Sequence, residues 1–408
     1  MSVPAPALIL LLALMGLLNS FCSDMVIPAV PALGVELGIS AWQAQQTISL
    51  FFVASAVMSL WYGAIADACG RRATILAALL LLGMSAAAST AVDSIGQLWV
   101  LRILQGVAAG AGLVISRAIL SDLYCGLTMQ HLLSRITMIQ TLSLVATPVL
   151  GAWLSAHYGW RTVFGTLGGI SFVLAAVYWR WLPETLPTGR RLELRPALLT
   201  RAYLGVLGNP RFLRLTLGHV ANWTSMAVYA VSAPVIVTRL MGRPVTDIYL
   251  VYGPITFGLV AGFAAFPRAH ARLRANGTLA LAYALLAVAI GLGLAASWHF
   301  PTGIVPMLPL LVYSQGLALA LPLLLSNAVA AERQRAGVAA SCQTFFQFAG
   351  MALGAGLIAP LLGDSLFALA AGTGLLTLLG GIAVALEQRA ERNSPAAGPA
   401  GIQSTEIS

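Results

Sequence analysis

Runs of mostly apolar residues about 20 long, the length that crosses a bilayer as a helix, recur twelve times along this chain. They fall at 6–30, 42–64, 73–92, 95–120, 136–156, 162–183, 215–237, 248–266, 277–297, 304–328, 338–361 and 365–386. Ser134-Arg135 blurs the start of the fifth, and the eighth is short. Backbone polar groups in hydrocarbon must be satisfied within the segment, so such runs read as helices. Composition points the same way: 59% of the 408 residues are hydrophobic and 9% charged, against roughly 25% charged in a soluble domain. Lipid is therefore the solvent of most of the surface. The expected fold is an all-α polytopic membrane protein with 12 transmembrane helices.

The net charge of +9 comes from 22 cations, all of them Arg. A nucleic-acid surface would gather them on one face; here they sit between apolar runs. With the N-terminus cytoplasmic, inner loops and tail hold Arg71, Arg72, Arg135, Arg190, Arg191, Arg195, Arg201, Arg211, Arg214, Arg268, Arg272, Arg274, Arg333, Arg335, Arg389 and Arg392. Arg161, Arg239 and Arg243 fall outside, Arg180 near an inner helix end, and Arg102 and Arg117 within the fourth run. Cationic residues accumulate on the cytoplasmic side, so both termini are expected there. The first run is too long for a signal-peptide core and reads as a retained span.

The longest connection, from Pro183 to about Arg214, divides the chain into two sets of six spans. The expected units are a six-helix bundle at 1–183, a cytoplasmic linker at 184–214, a second six-helix bundle at 215–386, and a disordered cytoplasmic tail at 387–408. The four cysteines are scattered and indicate neither a disulfide framework nor a metal site. The histidines are dispersed and mostly near loops, so no enzyme centre and no cofactor are expected. A chain without Lys has no phosphate-binding Gly-x-x-x-x-Gly-Lys-Ser/Thr loop. Energy must come from an ion gradient or a partner.

Gly63-Ala64-Ile65-Ala66-Asp67-Ala68-Cys69-Gly70-Arg71-Arg72, between the second and third runs, resembles the corresponding loop of the major facilitator superfamily through Gly63, Asp67, Gly70, Arg71 and Arg72. It departs at Ala68, where that family carries another basic residue. Arg102, Gln105 and Gly106 repeat its fourth-helix spacing. Ser121-Asp122-Leu123-Tyr124 and Gly159-Trp160-Arg161 are similar to its drug:proton antiporter branch of the Bcr/CflA (bicyclomycin and chloramphenicol resistance) type, with Ser121 replacing an Arg. Pro148 and Gly151 fit that branch's fifth-helix motif, whereas Thr147 and Ala152 do not. The resemblance implies two repeated halves and alternating access, with Gly63 to Arg72 and Asp122 forming a gate latch at the inner face.

Ionisable groups inside a bilayer are costly, so Asp24, Arg102 and Arg117 are the functional candidates. Asp24 ends a polar patch with Asn19, Ser20 and Ser23, and lies at a depth similar to Arg102; it could also be a helix-end residue near the outer headgroups. An Asp24–Arg102 pair, or a water network they share, would suit proton coupling: burial favours the neutral carboxyl, and a nearby guanidinium its charged form. Arg102 could also be a structural cation tied to backbone carbonyls, and Arg117 a cavity cation or a snorkelling anchor. Pro148 and Gly151 mark a helix kink. Asn19, Ser23, Gln105, Arg117, Trp223, Tyr229, Tyr313, Gln343, Phe346 and Gln347 are expected to line a substrate cavity. Tyr249 and Tyr252 read as anchors at the membrane faces.

The expected function is proton-coupled secondary transport exporting small amphipathic compounds. A monomer in the cell's inner membrane would work with lipid, protons and a small-molecule substrate, and without nucleic acid. Export of an endogenous metabolite such as a siderophore, or proton-coupled uptake, is the alternative.

Overall fold

The structure, a computed structural model, describes residues 5–123, 143–186, 189, 191 and 196–393, and every regular element among them is helical. Helices α1 (Ala5–Asp24), α2 (Val30–Glu36), α3 (Ala41–Ser59), α4 (Tyr62–Cys69), α5 (Arg71–Ala88), α6 (Ile95–Leu123), α7 (143–158) and α8 (Trp160–Trp181) form the first half. Helix α9 (Pro196–Leu207) occupies the linker. The second half holds α10 (Pro210–Val235), α11 (Tyr249–His299), α12 (Pro309–Ala330), α13 (Ala336–Leu353), α14 (Ala359–Leu362) and α15 (Leu366–Asn393). The start of the fifth apolar run lies outside the described residues, as do the side chains of Arg117 and Asp122.

Among the described residues nine helical stretches are long and apolar enough to cross a membrane, or ten when α3 and α4, bent by 54°, count as one. Helix α11, at 51 residues, holds the eighth and ninth runs together. Its backbone breaks at Arg274 (φ 57°, ψ −176°), the lone non-glycine with positive φ among the described residues. The arms on either side each have the length of one span, and the break falls where the sequence places an inner loop.

Most helix interruptions have a local cause and a distant partner. Pro28 lacks an N–H and its ring crowds the carbonyl of Asp24 four residues back. Helix α1 accordingly stops at Asp24, gives a short 3-10 turn over Ile27–Ala29, and resumes as α2. The sequence reads this as one unbroken run, and proline corrects it. Pro234 likewise strips Ala230 of its helical donor, and the Tyr252 hydroxyl donates to the Ala230 carbonyl at 3.1 Å. Tyr252 is thus buried, not a face anchor, while Tyr249 is 47% exposed. At the α3–α4 bend the Tyr203 hydroxyl of α9 donates to the Leu60 carbonyl at 2.5 Å.

The tail also differs from expectation. Helix α15 continues past Leu386 to Asn393 because Glu387 and Glu391, one turn apart, face Arg211 and Arg214 of α10. Glu387 is 4% exposed, an acidic residue the sequence reading assigned to a solvated tail.

The halves meet along α3 and α13. Ser49 Oγ donates to the Ala352 carbonyl at 2.9 Å, Gln46 Nε2 to that of Gly356 at 2.8 Å, and Phe52 stacks on Phe348. Gly356 lies in a π-helical turn, Gly354–Ile358, where wider pitch frees carbonyls. These contacts lie away from the arginine-rich loops. At the arginine-rich end the halves separate around a cleft of about 770 Å³, lined by Leu60, Gly63, Asp67, Arg71, Tyr203 and Ser341 among others.

Candidate functional site

The break after Asp24 organises the interior of the first half. A helix that stops leaves its last carbonyls without donors, and that end carries partial negative charge. Arg102, wholly buried on α6, answers it: one terminal nitrogen donates to the Cys22 carbonyl at 3.0 Å and to Gln105 Oε1 at 2.8 Å. Its Nε donates to the Thr47 carbonyl of α3 at 2.9 Å, and its guanidinium carbon lies 4.4 Å from the Phe51 ring centre. Gln105 passes the chain on to Ser89 Oγ at 2.9 Å. One side chain thus joins α1, α3 and α6, with Gln105 carrying the link to the end of α5.

The second terminal nitrogen of Arg102 is buried without a partner among the described residues. Asp24 and Arg102 make no ion pair; the Asp24 carboxylate accepts from Ser23 Oγ at 3.0 Å. Ser23 also donates to the Asn19 carbonyl at 3.1 Å, while Asn19 Oδ1 is buried with no partner among the described residues. Asp24 itself is half-buried.

Close approach between these helices needs glycine. A Cβ at Gly151 would stand 2.1 Å from the Met25 carbonyl oxygen, one at Gly112 2.6 Å from that of Met15, and one at Gly106 2.3 Å from that of Phe51. Gly151 therefore seats α7 directly on the turn beside Asp24. Pro148 lies within the same helix, 143–158.

At the arginine-rich end Arg71 pairs with Asp67 at 2.7 Å. Gly70 has φ 95°, and a Cβ there would meet Glu184 Oε2 at 2.6 Å. Glu184 accepts from the backbone N–H of Arg71 at 3.0 Å and of Arg72 at 3.3 Å, capping the start of α5 where its dipole favours an anion. Arg72 reaches the Trp179 carbonyl at 2.5 Å. The loop is thus fastened to the end of α8 by Glu184, a residue sequence reasoning missed, since only the fold brings it 113 positions back to Arg71. At the opposite end Trp160 and Arg161 both bind the Glu36 carboxylate.

The second half holds the expected aromatic and amide residues, with a polar network around them. The Tyr313 hydroxyl meets Thr377 Oγ1 at 2.8 Å; Thr377 donates to Ser225, and Ser225 to the Thr373 carbonyl. Asn222 donates to the Tyr283 hydroxyl at 3.0 Å. Gln347 Oε1 lies 3.3 Å from His219 Nε2, and the Trp223 indole 3.3 Å from Met351 Sδ. Tyr229 is buried, Gln343 is buried with neither amide atom paired among the described residues, and Phe346 packs against the second-half core. No group of residues suited to holding a metal occurs among the described residues.

Comparison with known proteins accords with this geometry. The chain is 25% identical over 237 residues to a bicyclomycin resistance protein homolog of Haemophilus influenzae, covering 58% of this chain and 60% of that protein. It is 29% identical over 256 residues to a chloramphenicol resistance protein of Pseudomonas aeruginosa, covering 62% and 60%. The match to multidrug resistance protein D of Escherichia coli is 26% over 239 residues, 58% and 59%. These matches therefore span about three fifths of each relative. Among solved structures, a bacterial homolog of the human lysosomal transporter Spinster superposes with a TM-score of 0.72 at 17% identity, covering 95% of this chain and 97% of that one. The nucleoside transporter NupG superposes at 0.70 with 11% identity, covering 94% and 99%. The family model of the Major Facilitator Superfamily matches residues 12–355, most of the length, and the chain belongs to that superfamily.

Proposed function

We propose that this polytopic membrane protein is a proton-coupled secondary transporter that exports small amphipathic compounds by alternating access. It would act as a monomer in the cytoplasmic membrane, with twelve spans and both termini in the cytoplasm. The observation that carries the reading is the wholly buried Arg102 bound to the Cys22 carbonyl, two residues before Asp24, where α1 is broken. Asp24 is the proton-binding carboxyl. Arg102 holds the break in register, and its unpaired nitrogen is a donor within the same buried neighbourhood. Rocking of the halves changes what surrounds the carboxyl, and with it the balance between its neutral and charged forms.

The cleft at the arginine-rich end and the closed α3–α13 contact away from it have the asymmetry that one state of such a cycle requires. The bicyclomycin, chloramphenicol and multidrug names of the relatives support small drugs as cargo. In an efflux-deficient bacterial host, the chain is expected to lower accumulation of chloramphenicol or ethidium, with an uncoupler abolishing the effect. Accumulation unchanged by the chain across a drug panel would refute export, and efflux insensitive to the uncoupler would refute proton coupling.

A further inference from the structure

Helices α10 and α13 start at the same end and pack with a fixed register. His219 meets Gln347, Trp223 meets Met351, and a Cβ at Gly350 would stand 2.4 Å from Thr224 Oγ1. Along this seam lies a run of buried polar atoms with no partner among the described residues: Thr216 Oγ1, His219 Nδ1, Thr224 Oγ1 and both amide atoms of Gln343. His219 is 4% exposed and Gln343 1%. Buried polar side chains are normally hydrogen-bonded, and each that is not needs a reason.

The chemistry of the seam is specific. An amide oxygen only accepts, so in the neutral imidazole the proton shared with Gln347 sits on Nε2, and Nδ1 is left as a bare acceptor. Gln343 and Gln347 are one turn apart on α13, and His219 and Thr216 are three apart on α10, so each pair shares a face. The register that joins His219 to Gln347, carried one turn back, brings Thr216 alongside Gln343. Together they offer acceptors and donors without a formal charge. The cleft at the arginine-rich end reaches α13 at Gly337, Val338 and Ser341, and Gln347 further along the same helix is half-buried.

We propose that the α10–α13 seam is a ligand-recognition site for a neutral hydroxyl- or amide-bearing group, read by His219, Gln343 and Gln347. The proposal rests on the transport reading above and deepens it: the first half handles the proton and this seam recognises the cargo's uncharged polar groups. A ligand lacking donors and acceptors gains nothing from these atoms, while one with a hydroxyl and an amide pairs those that are now single.

The test is equilibrium binding to the purified full-length protein of two probes. One is chloramphenicol, neutral with hydroxyl and amide groups; the other is tetraphenylphosphonium, a cation with no hydrogen-bonding group. Gln343→Leu and His219→Leu are expected to weaken chloramphenicol binding at least tenfold more than tetraphenylphosphonium binding. His219→Gln, which keeps a polar side chain, should recover part of the loss, and melting temperatures should show that all variants fold. Equal losses for both probes, undiminished chloramphenicol binding in both leucine variants, or a wild-type protein that does not bind chloramphenicol would overturn the proposal. Binding with the expected selectivity but no uphill transport would refute the transport reading and leave the seam standing.

Discussion

The Arg102 guanidinium is fully buried with no carboxylate partner among the described residues. Arg102 is solvated by protein dipoles: the orphaned carbonyl of a terminated helix, a second backbone carbonyl, an amide oxygen and an aromatic face. Lysine reaches such a site as a point charge and cannot reproduce the fork. Arg102→Lys is therefore expected to retain part of the transport rate and Arg102→Ala almost none, with the alanine variant also less thermostable. Equal, mild losses would reduce Arg102 to packing. Asp24, Arg102 and Gln105 were legible in the sequence because a charge inside an apolar run is rare and helical spacing sets which side it faces. Their partners were not, since the acceptors are main-chain carbonyls that no side-chain pattern advertises.

At the element scale, interruptions in helices are fastened by side chains from elsewhere. Proline removes a donor at a known position, yet the break at Pro28 lay hidden in one apolar run and the bend between α3 and α4 carries no proline; the residue that repairs a break comes from another helix and could not be read. Tyr252 shows this, being indistinguishable in sequence from a face anchor such as Tyr249. Tyr252→Phe leaves the Ala230 carbonyl unpaired, and a buried unpaired group costs about 1–3 kcal/mol. The expected outcome is a lower melting temperature, checked in detergent, with Tyr249→Phe, at an exposed site, as the unaffected control. Gly151→Val is expected to be worse, because its Cβ would fall inside the Met25 carbonyl; overpacking of this kind costs typically 1–3 kcal/mol and sometimes more. In the linker, burial pushes the Tyr203 phenol up to about 12, partly opposed by its hydrogen bond with Ser341. It therefore keeps its proton, and its bond to Leu60, throughout the physiological range. Tyr203→Phe should speed hydrogen exchange around the α3–α4 bend, whereas unchanged exchange would make the contact incidental.

At the scale of the whole molecule, membership of the superfamily was visible from twelve apolar runs, the bias of the arginines and the loop from Gly63 to Arg72. The second half was legible mainly as spans: its polar network joins residues as far apart as Ser225 and Thr377, and no local motif links them. The halves are closed where Ser49 and Gly356 touch and apart around the cleft of Asp67 and Tyr203. If transport requires that contact to open, oxidising a Ser49→Cys, Gly356→Cys double variant should stop transport, and reduction should restore it. A cross-linked protein transporting at the uncross-linked rate would show that this contact does not move.

The most direct test of Asp24 as the proton carrier compares two modes of transport in proteoliposomes. Asp24→Asn mimics a permanently neutral carboxyl, so substrate exchange without a gradient should continue, while accumulation driven by a pH gradient should fall to background. Gradient-driven accumulation by Asp24→Asn equal to that of the unaltered protein would contradict the account.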